Sequence, residues 1–277
     1  IQATMSTTTT TATSTVYSDE LQKAVNELEI ALPAPGDRLE QDEEWVVVKV
    51  GDAWKRVRLH DYDETYSVQG LYERWVYEIF QCRSPQKIRE LLEVALNESG
   101  EDAGDLVVLD LGAGNGYVAD ELRTLGAREF VGLDIVPEAA MASERDRPGL
   151  YDNYVIGDVT NLRDSDEKIL AQHRFTCMTC VAALGFGDIP TAVFVNTFNR
   201  VADDGWIAFN IKTDFLNEDD QSGFSVLIRR MLKEGVLDLI KREEYTHRVS
   251  TDGQPLRYEA FIGRKLKHCP EEWATTS

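Results

Sequence analysis

Val107-Val108-Leu109-Asp110-Leu111-Gly112-Ala113-Gly114-Asn115-Gly116 is an apolar run of strand length that closes on a glycine-rich turn and feeds a helix through Leu125. Glycine belongs at such a turn where a ligand approaches the backbone more closely than a Cβ allows, or where φ must be positive. Strand-like runs at 129–134, 153–156, 175–181 and 206–212 follow, separated by helical stretches from Pro137, near 167–172 and over 189–201. That alternation predicts an α/β architecture, a parallel sheet covered by helices on both faces. After a helix over 223–233, the runs 245–250 and 256–265 flank Asp252 and Gly253 and read as a terminal antiparallel hairpin.

Upstream of the quoted stretch the pattern changes. Residues 4–15 are almost all threonine and serine, too poor in apolar surface to offset the entropy of ordering, so residues 1–17 are expected as a disordered tail. Ile1 to Thr4 precede Met5, which suits a native start there. Ser18, Asp19 and Glu20 resemble a helix start, and Leu21, Val25, Leu28 and Leu32 keep helical spacing until Pro33 and Pro35. Runs at 45–50 and 53–59 around Gly51 and Asp52 predict a β-hairpin. Two or three helical stretches follow, around 62–80 and then 84–97, the last with Ser84 as N-cap and Pro85 in its first turn. The expected organisation is an accessory or lid segment over 18–100, one core over 101–268 and a short tail over 269–277.

Hydrophobic residues at 43% supply enough apolar surface for a sizeable core. The 29 basic against 49 acidic residues leave a net charge of −20, whose field repels polyanions, so nucleic acid and anionic membranes are not expected as partners. No apolar stretch approaches the roughly 20 residues that span a bilayer, and the start lacks the layout of a signal peptide. Four irregularly spaced cysteines do not make a disulfide framework and suit a reducing cytoplasm. Cys177 and Cys180 sit in a buried strand pattern, where three-residue spacing points them to opposite faces, so no metal is expected there. His60, His173, His247 and His268 show no metal-like spacing and read as surface residues.

A Gly-x-Gly-x-Gly string alone is weak, because dinucleotide-binding domains carry a near relative of it. Its context adds more. Asp134 ends the second core strand about 20 residues beyond the turn, in position to accept from ribose hydroxyls. Asp158 follows the third, where a carboxylate can accept from an adenine amine while Val159 packs on the ring. Both also suit turn or helix capping. Val181 carries the fourth strand to the same crevice. Asp188 before Ile189 and Pro190 suits an N-cap better than a ligand contact. Asn210, Lys212, Thr213 and Asp214 straddle the end of the fifth strand, so some of them should face the crevice, where Lys212 could hold an anionic group of a substrate or be a solvated strand end. Tyr62 and Tyr66 sit just before the core and also suit plain core or surface aromatics.

Taken together, residues 62–267 resemble the class I methyltransferases, a Rossmann-like fold with a seven-stranded, mostly parallel sheet and a C-terminal antiparallel hairpin. The resemblance implies S-adenosylmethionine as cofactor. Asp110, Gly112, Ala113, Gly114, Asn115 and Gly116 would wrap its methionine part, Asp134 with Ile135 the ribose, and Asp158 with Val159 the adenine, with Val181 beside them. The segments 182–190 and 204–210 are similar to the orphan methyltransferases related to the Williams–Beuren-region protein. Thr176 stands where that family often has aspartate after phenylalanine.

Methyl transfer from a sulfonium is a direct displacement, so alignment and exclusion of water matter more than a dedicated base. Should the acceptor carry a proton, His60, Asp188 and His247 are the candidates, and none is assigned as catalytic. The expected activity is methylation of a small molecule, with Tyr62, Tyr66 and Lys212 on the acceptor side. A protein methyltransferase, a non-catalytic cofactor-binding module and a nicotinamide oxidoreductase are the competing readings. Whether the chain forms a homodimer stays open.

Overall fold

The computed structural model describes residues 17–34 and 39–274, so the threonine-rich run and Pro35 lie outside the described residues. The chain opens with α1 (Asp19–Glu27), β1 (Ile30–Ala31), β2 (Trp45–Val50), β3 (Ala53–Arg58) and α2 (Tyr62–Ser67). A π-helical turn (Glu73–Ile79) and α3 (Ser84–Ser99) lead to the core. There β4 (Val107–Leu111), α4 (Tyr117–Arg123), β5 (Glu129–Asp134), α5 (Pro137–Asp146) and β6 (Asn153–Ile156) are followed by α6 (Asp164–Ala171). The core continues with β7 (Cys177–Cys180), α7 (Thr191–Arg200), β8 (Trp206–Lys212) and α8 (Phe224–Lys233), and ends in β9 (Leu237–Val249) and β10 (Pro255–Lys265).

Seven strands form one sheet in the order β6-β5-β4-β7-β8-β10-β9. The first five run parallel, and β10 pairs antiparallel with both β8 and β9. The chain leaves β4 toward β5 and β6, then returns across the sheet to place β7 on the other side of β4. The connections after β4 and β7 therefore diverge, opening a crevice at their carboxyl ends where ligands of such sheets bind. Cys177 packs into the cluster with Val108 and Phe130, and Cys180 into the one with Leu109 and Phe209, on the opposite faces expected from their spacing. All four cysteines are free and buried.

The accessory segment builds a second, three-stranded sheet, β1-β2-β3, over Leu71, Trp75 and Phe80. It is tied to the terminal hairpin by a buried Glu44–Arg248 ion pair and by a Gln41 side chain donating to the Tyr258 hydroxyl. Two local expectations, the end of the first helix and the role of Ser84, are corrected. The first helix stops at Glu27 instead of reaching Leu32, because Ile30 pairs with Val48 as a strand. The two or three helical stretches expected from Tyr62 onward are three, because the first breaks after Ser67. There Gly70 takes φ +78° and an added Cβ would sit 2.9 Å from the Val25 backbone nitrogen, so α1 packs where only glycine fits. Ser84 is the first residue of α3, not its cap, and its hydroxyl meets Tyr245 and His247 at 2.5 and 2.6 Å. No described helix is long and apolar enough to cross a membrane.

Candidate functional site

The carboxyl ends of β4, β5, β6 and β7 open into one cavity of about 630 Å3, lined on its other side by His60, Tyr62, Tyr66 and Tyr72. That volume lies within the few hundred to about 1,000 Å3 usual for small-molecule sites. Gly112 keeps the cavity open: at φ +69°, an added Cβ would come within 3.1 Å of Ile189 Cδ1 and 3.2 Å of Ala183 Cβ, both on residues that line it. The absent side chain leaves a cradle at the turn suited to the close approach of a ligand.

Asp134 joins the turn to the end of β5. Its two carboxylate oxygens accept from the Gly114 and Val136 backbone N–H groups at 2.9 and 3.0 Å, while burial still holds its carboxyl above the usual range. A carboxylate has about four acceptor positions, so Asp134 keeps capacity beyond these bonds and a further one from the Ile135 backbone. Asp158 accepts from the Thr160 N–H and hydroxyl at 2.9 and 2.7 Å, a local turn that fixes its carboxylate at the rim. Ile135, Val159 and Val181 complete an apolar wall, with Ile135 largely exposed at the mouth.

The remaining residues of the glycine turn shape it from behind. Asp110 is buried, its carboxylate accepting from the Thr179 and Tyr151 hydroxyls at 2.6 and 2.7 Å, and burial pushes its pKa up to about 6. Asn115 donates to Glu73, while Arg147 donates to that carboxylate and to the Asn115 carbonyl, each at 3.1 Å. Gly116 begins α4 at φ +88°, where a Cβ would strike Leu150. Gly114 lies under Tyr66, whose hydroxyl would be 2.5 Å from a Cβ there, and Ala113 is buried. Of residues 112–116, only Gly112 lines the cavity.

Of the residues expected to meet a substrate, Tyr62 and Tyr66 line the cavity and Lys212 does not, its ammonium being turned to Asp214 at 2.8 Å. Asp188 does not cap α7, whose N-cap position is Pro190. Its carboxylate instead lies 3.1 Å from His60 Nδ1, and both residues line the cavity. His60 is largely buried, 12% exposed in its side chain, and His247 is buried beside Tyr258, so neither is the surface histidine expected. Burial and Arg248 hold His247 well below the usual histidine range. Among the described residues no group of three histidine, cysteine, aspartate or glutamate side chains could hold a metal ion.

Sequence reasoning missed Tyr72, Glu73 and Arg147, and it placed Asn210 at the crevice, whereas that residue stands behind the cavity wall. Asn210, fully buried, accepts the Ala182 N–H at 2.6 Å and so holds that residue at φ +59° on the cavity wall. Its amide donates to Ser84 and Tyr245 at 2.8 and 2.6 Å. A buried polar side chain mid-strand is a signal for such a network. Glu73 gave no comparable one, since its partner Arg147 stands 74 residues away.

The profile of a family described as a methyltransferase domain matches residues 78–269. No curated protein matches the sequence. Among solved structures, an N-methyltransferase NodS from Bradyrhizobium japonicum is similar over 75% of this chain and 98% of its own, at 12% identity and a TM-score of 0.50. A magnesium protoporphyrin IX methyltransferase from Synechocystis is similar over 64% and 78%, at 16% identity and a TM-score of 0.44.

Proposed function

The chain belongs to the methyltransferase-domain family, whose class I members use S-adenosylmethionine, and from that premise we propose that it methylates a small-molecule acceptor in the cavity beside Gly112. One observation carries this reading. One cavity brings Gly112, Asp134, Asp158 and Val159 from the core strands against His60 and Tyr62 from the accessory segment. Bound there, S-adenosylmethionine supplies an electrophilic methyl group on a positively charged sulfur. Asp134 would hold the ribose hydroxyls through its remaining acceptor positions, Asp158 the adenine amine, and Ile135, Val159 and Val181 the apolar faces. Gly112 would let the methionine part lie on the backbone, with Asp110, Ala113, Gly114, Asn115 and Gly116 shaping that bed. Tyr62 and Tyr66 would position the acceptor and exclude water.

In this reading residues 18–100 form the accessory segment and 101–268 the catalytic core, in a cytoplasmic enzyme of the Williams–Beuren-related group. Lys212 keeps a substrate role only if its pair with Asp214 opens. The second reading is a basic protein acceptor drawn by the net charge of −20. Calorimetry with S-adenosylmethionine and S-adenosylhomocysteine tests the cofactor site: micromolar binding that falls at least tenfold in Asp134→Ala is expected, and binding of neither would sink it. Labelled methyl transfer to a cell extract, split into small molecules and macromolecules, then separates the two acceptor classes.

A further inference from the structure

We infer that the acceptor is an amine, held as an ammonium ion at the His60 and Asp188 end of the cavity and deprotonated by His60 before it is methylated on nitrogen. The inference rests on the proposed reading of this cavity as the cofactor and acceptor site. Three independent features lead to it.

The first is charge. Among the described residues the cavity is lined by the carboxylates of Asp63, Asp134, Glu138, Asp158 and Asp188, and by no lysine or arginine. An anionic acceptor would enter against that field without a partner, while a cation is attracted and concentrated by it. Lys212, the one cation placed near this strand end by sequence, is engaged with Asp214 outside the lining.

The second is the aromatic surface. His60 stands 5.5 Å from Tyr62 and 5.4 Å from Phe186, centroid to centroid, and Tyr62, Tyr66 and Tyr72 continue the series at 6.1 and 5.0 Å. Burial raises all three tyrosine hydroxyls above their ordinary value, so these rings stay neutral at physiological pH and offer electron-rich faces. Ring faces beside a carboxylate bind an ammonium better than a neutral alcohol or an acid.

The third is the dyad. Asp188 at 3.1 Å from His60 Nδ1 favours the tautomer with the proton on that nitrogen, leaving the Nε2 lone pair as base. Around this imidazole stand Asp188 from the loop before α7 and Asp63 from α2, which lines the same cavity, with Tyr62 neutral beside it. On the far side Lys212 lies over the Phe186 ring at 5.9 Å with its ammonium paired to Asp214, and Arg248 acts on Tyr62 from β9. An ammonium cannot attack carbon until it loses a proton. That proton passes to His60 Nε2 and then to solvent. The freed nitrogen lone pair forms the N–C bond as the C–S bond breaks with its electron pair remaining on sulfur, leaving a thioether and an N-methylammonium product.

Calorimetry at pH 7 with two non-reacting probes tests the ammonium site. S-adenosylhomocysteine is neutral at the sulfur position, and sinefungin carries an amine there. Sinefungin is expected to bind the wild type at least tenfold more tightly. In Asp188→Asn the two should come within about threefold, with S-adenosylhomocysteine affinity changed less than twofold. A wild-type ratio within threefold, or a tenfold ratio that survives in Asp188→Asn, overturns the inference. Binding of neither probe removes the cofactor reading beneath it and the inference with it. In the labelled-extract assay, a labelled small molecule retained on a cation exchanger at pH 7 is expected, and a neutral or anionic labelled product overturns the amine. Label found only in macromolecules sinks the small-molecule reading, while the probe ratio still decides the ammonium site. His60→Gln should lower the rate at least 100-fold with S-adenosylhomocysteine binding retained, and a rate within threefold of wild type removes the base.

Discussion

Asp110 shows how a motif residue can serve the fold around a cavity without lining it. Burial lifts its carboxyl from 3.8 to about 6 against the pull of the Thr179 and Tyr151 hydroxyls. The folded chain therefore holds this proton more tightly than the unfolded chain does. The group's contribution to stability is fully present below pH 3.8 and is lost as pH rises through about 6. Asp110→Asn removes that loss, since the amide oxygen accepts from one hydroxyl and the amide nitrogen donates to the other. At pH 7 its unfolding free energy should rise, by up to on the order of 3 kcal/mol, with little change at pH 4. Urea midpoints at the two pH values check this, and a midpoint that falls at pH 7 would show that the ionised carboxylate is needed. Gly112→Ala should reduce S-adenosylhomocysteine affinity about tenfold, because positive φ costs a Cβ-bearing residue roughly 1–2 kcal/mol and the methyl meets Ile189 and Ala183. Calorimetry on the two proteins reads it. The need for glycine at 112 was legible in the sequence. Which turn residue faces the cavity was not, because neighbouring side chains in a tight turn are sorted by what packs behind them, here Glu73, Arg147 and Tyr66.

At the scale of elements, the accessory segment is held to the core by buried polar bonds as well as by apolar packing. Glu44 is fully buried, pairs with Arg248 and accepts from the Thr251 N–H and hydroxyl at 2.7 and 3.1 Å. Glu44→Ala leaves a buried guanidinium without its counter-charge and should cost about 3–5 kcal/mol. The double variant Glu44→Leu/Arg248→Met should recover more than half of it, as chemical denaturation of the three proteins would show. Asn210 binds α3, β9 and the Ala182 turn into one network, so Asn210→Leu should destabilise the fold by about 2–4 kcal/mol through several orphaned partners. It should also weaken cofactor binding by freeing Ala182. Strands and helices of the core were legible because their apolar periods are local. The break at Leu28 and the exact place of the one at Gly70 were not, because strand pairing with β2 and the approach of α1 override helical spacing there.

Across the whole molecule, a net charge of −20 on 277 residues implies self-repulsion in the compact state, relieved when salt shortens the screening length from about 30 Å at 0.01 M to about 8 Å at 0.15 M. The melting temperature should therefore rise between those two sodium chloride concentrations, and a flat or falling trend in scanning calorimetry would show that the local ion pairs outweigh the repulsion. The sequence by itself determined the α/β alternation, the terminal hairpin and the order of the carboxyl-end acids, because each is written in spacing along a short stretch. Only the tertiary structure decided that His60 meets Asp188 across 128 positions, that Lys212 turns away to Asp214, and that Tyr66 covers Gly114. Such contacts arise when distant segments fold over the strand ends, and a side chain's partner there depends on three-dimensional packing that no local pattern of residues encodes.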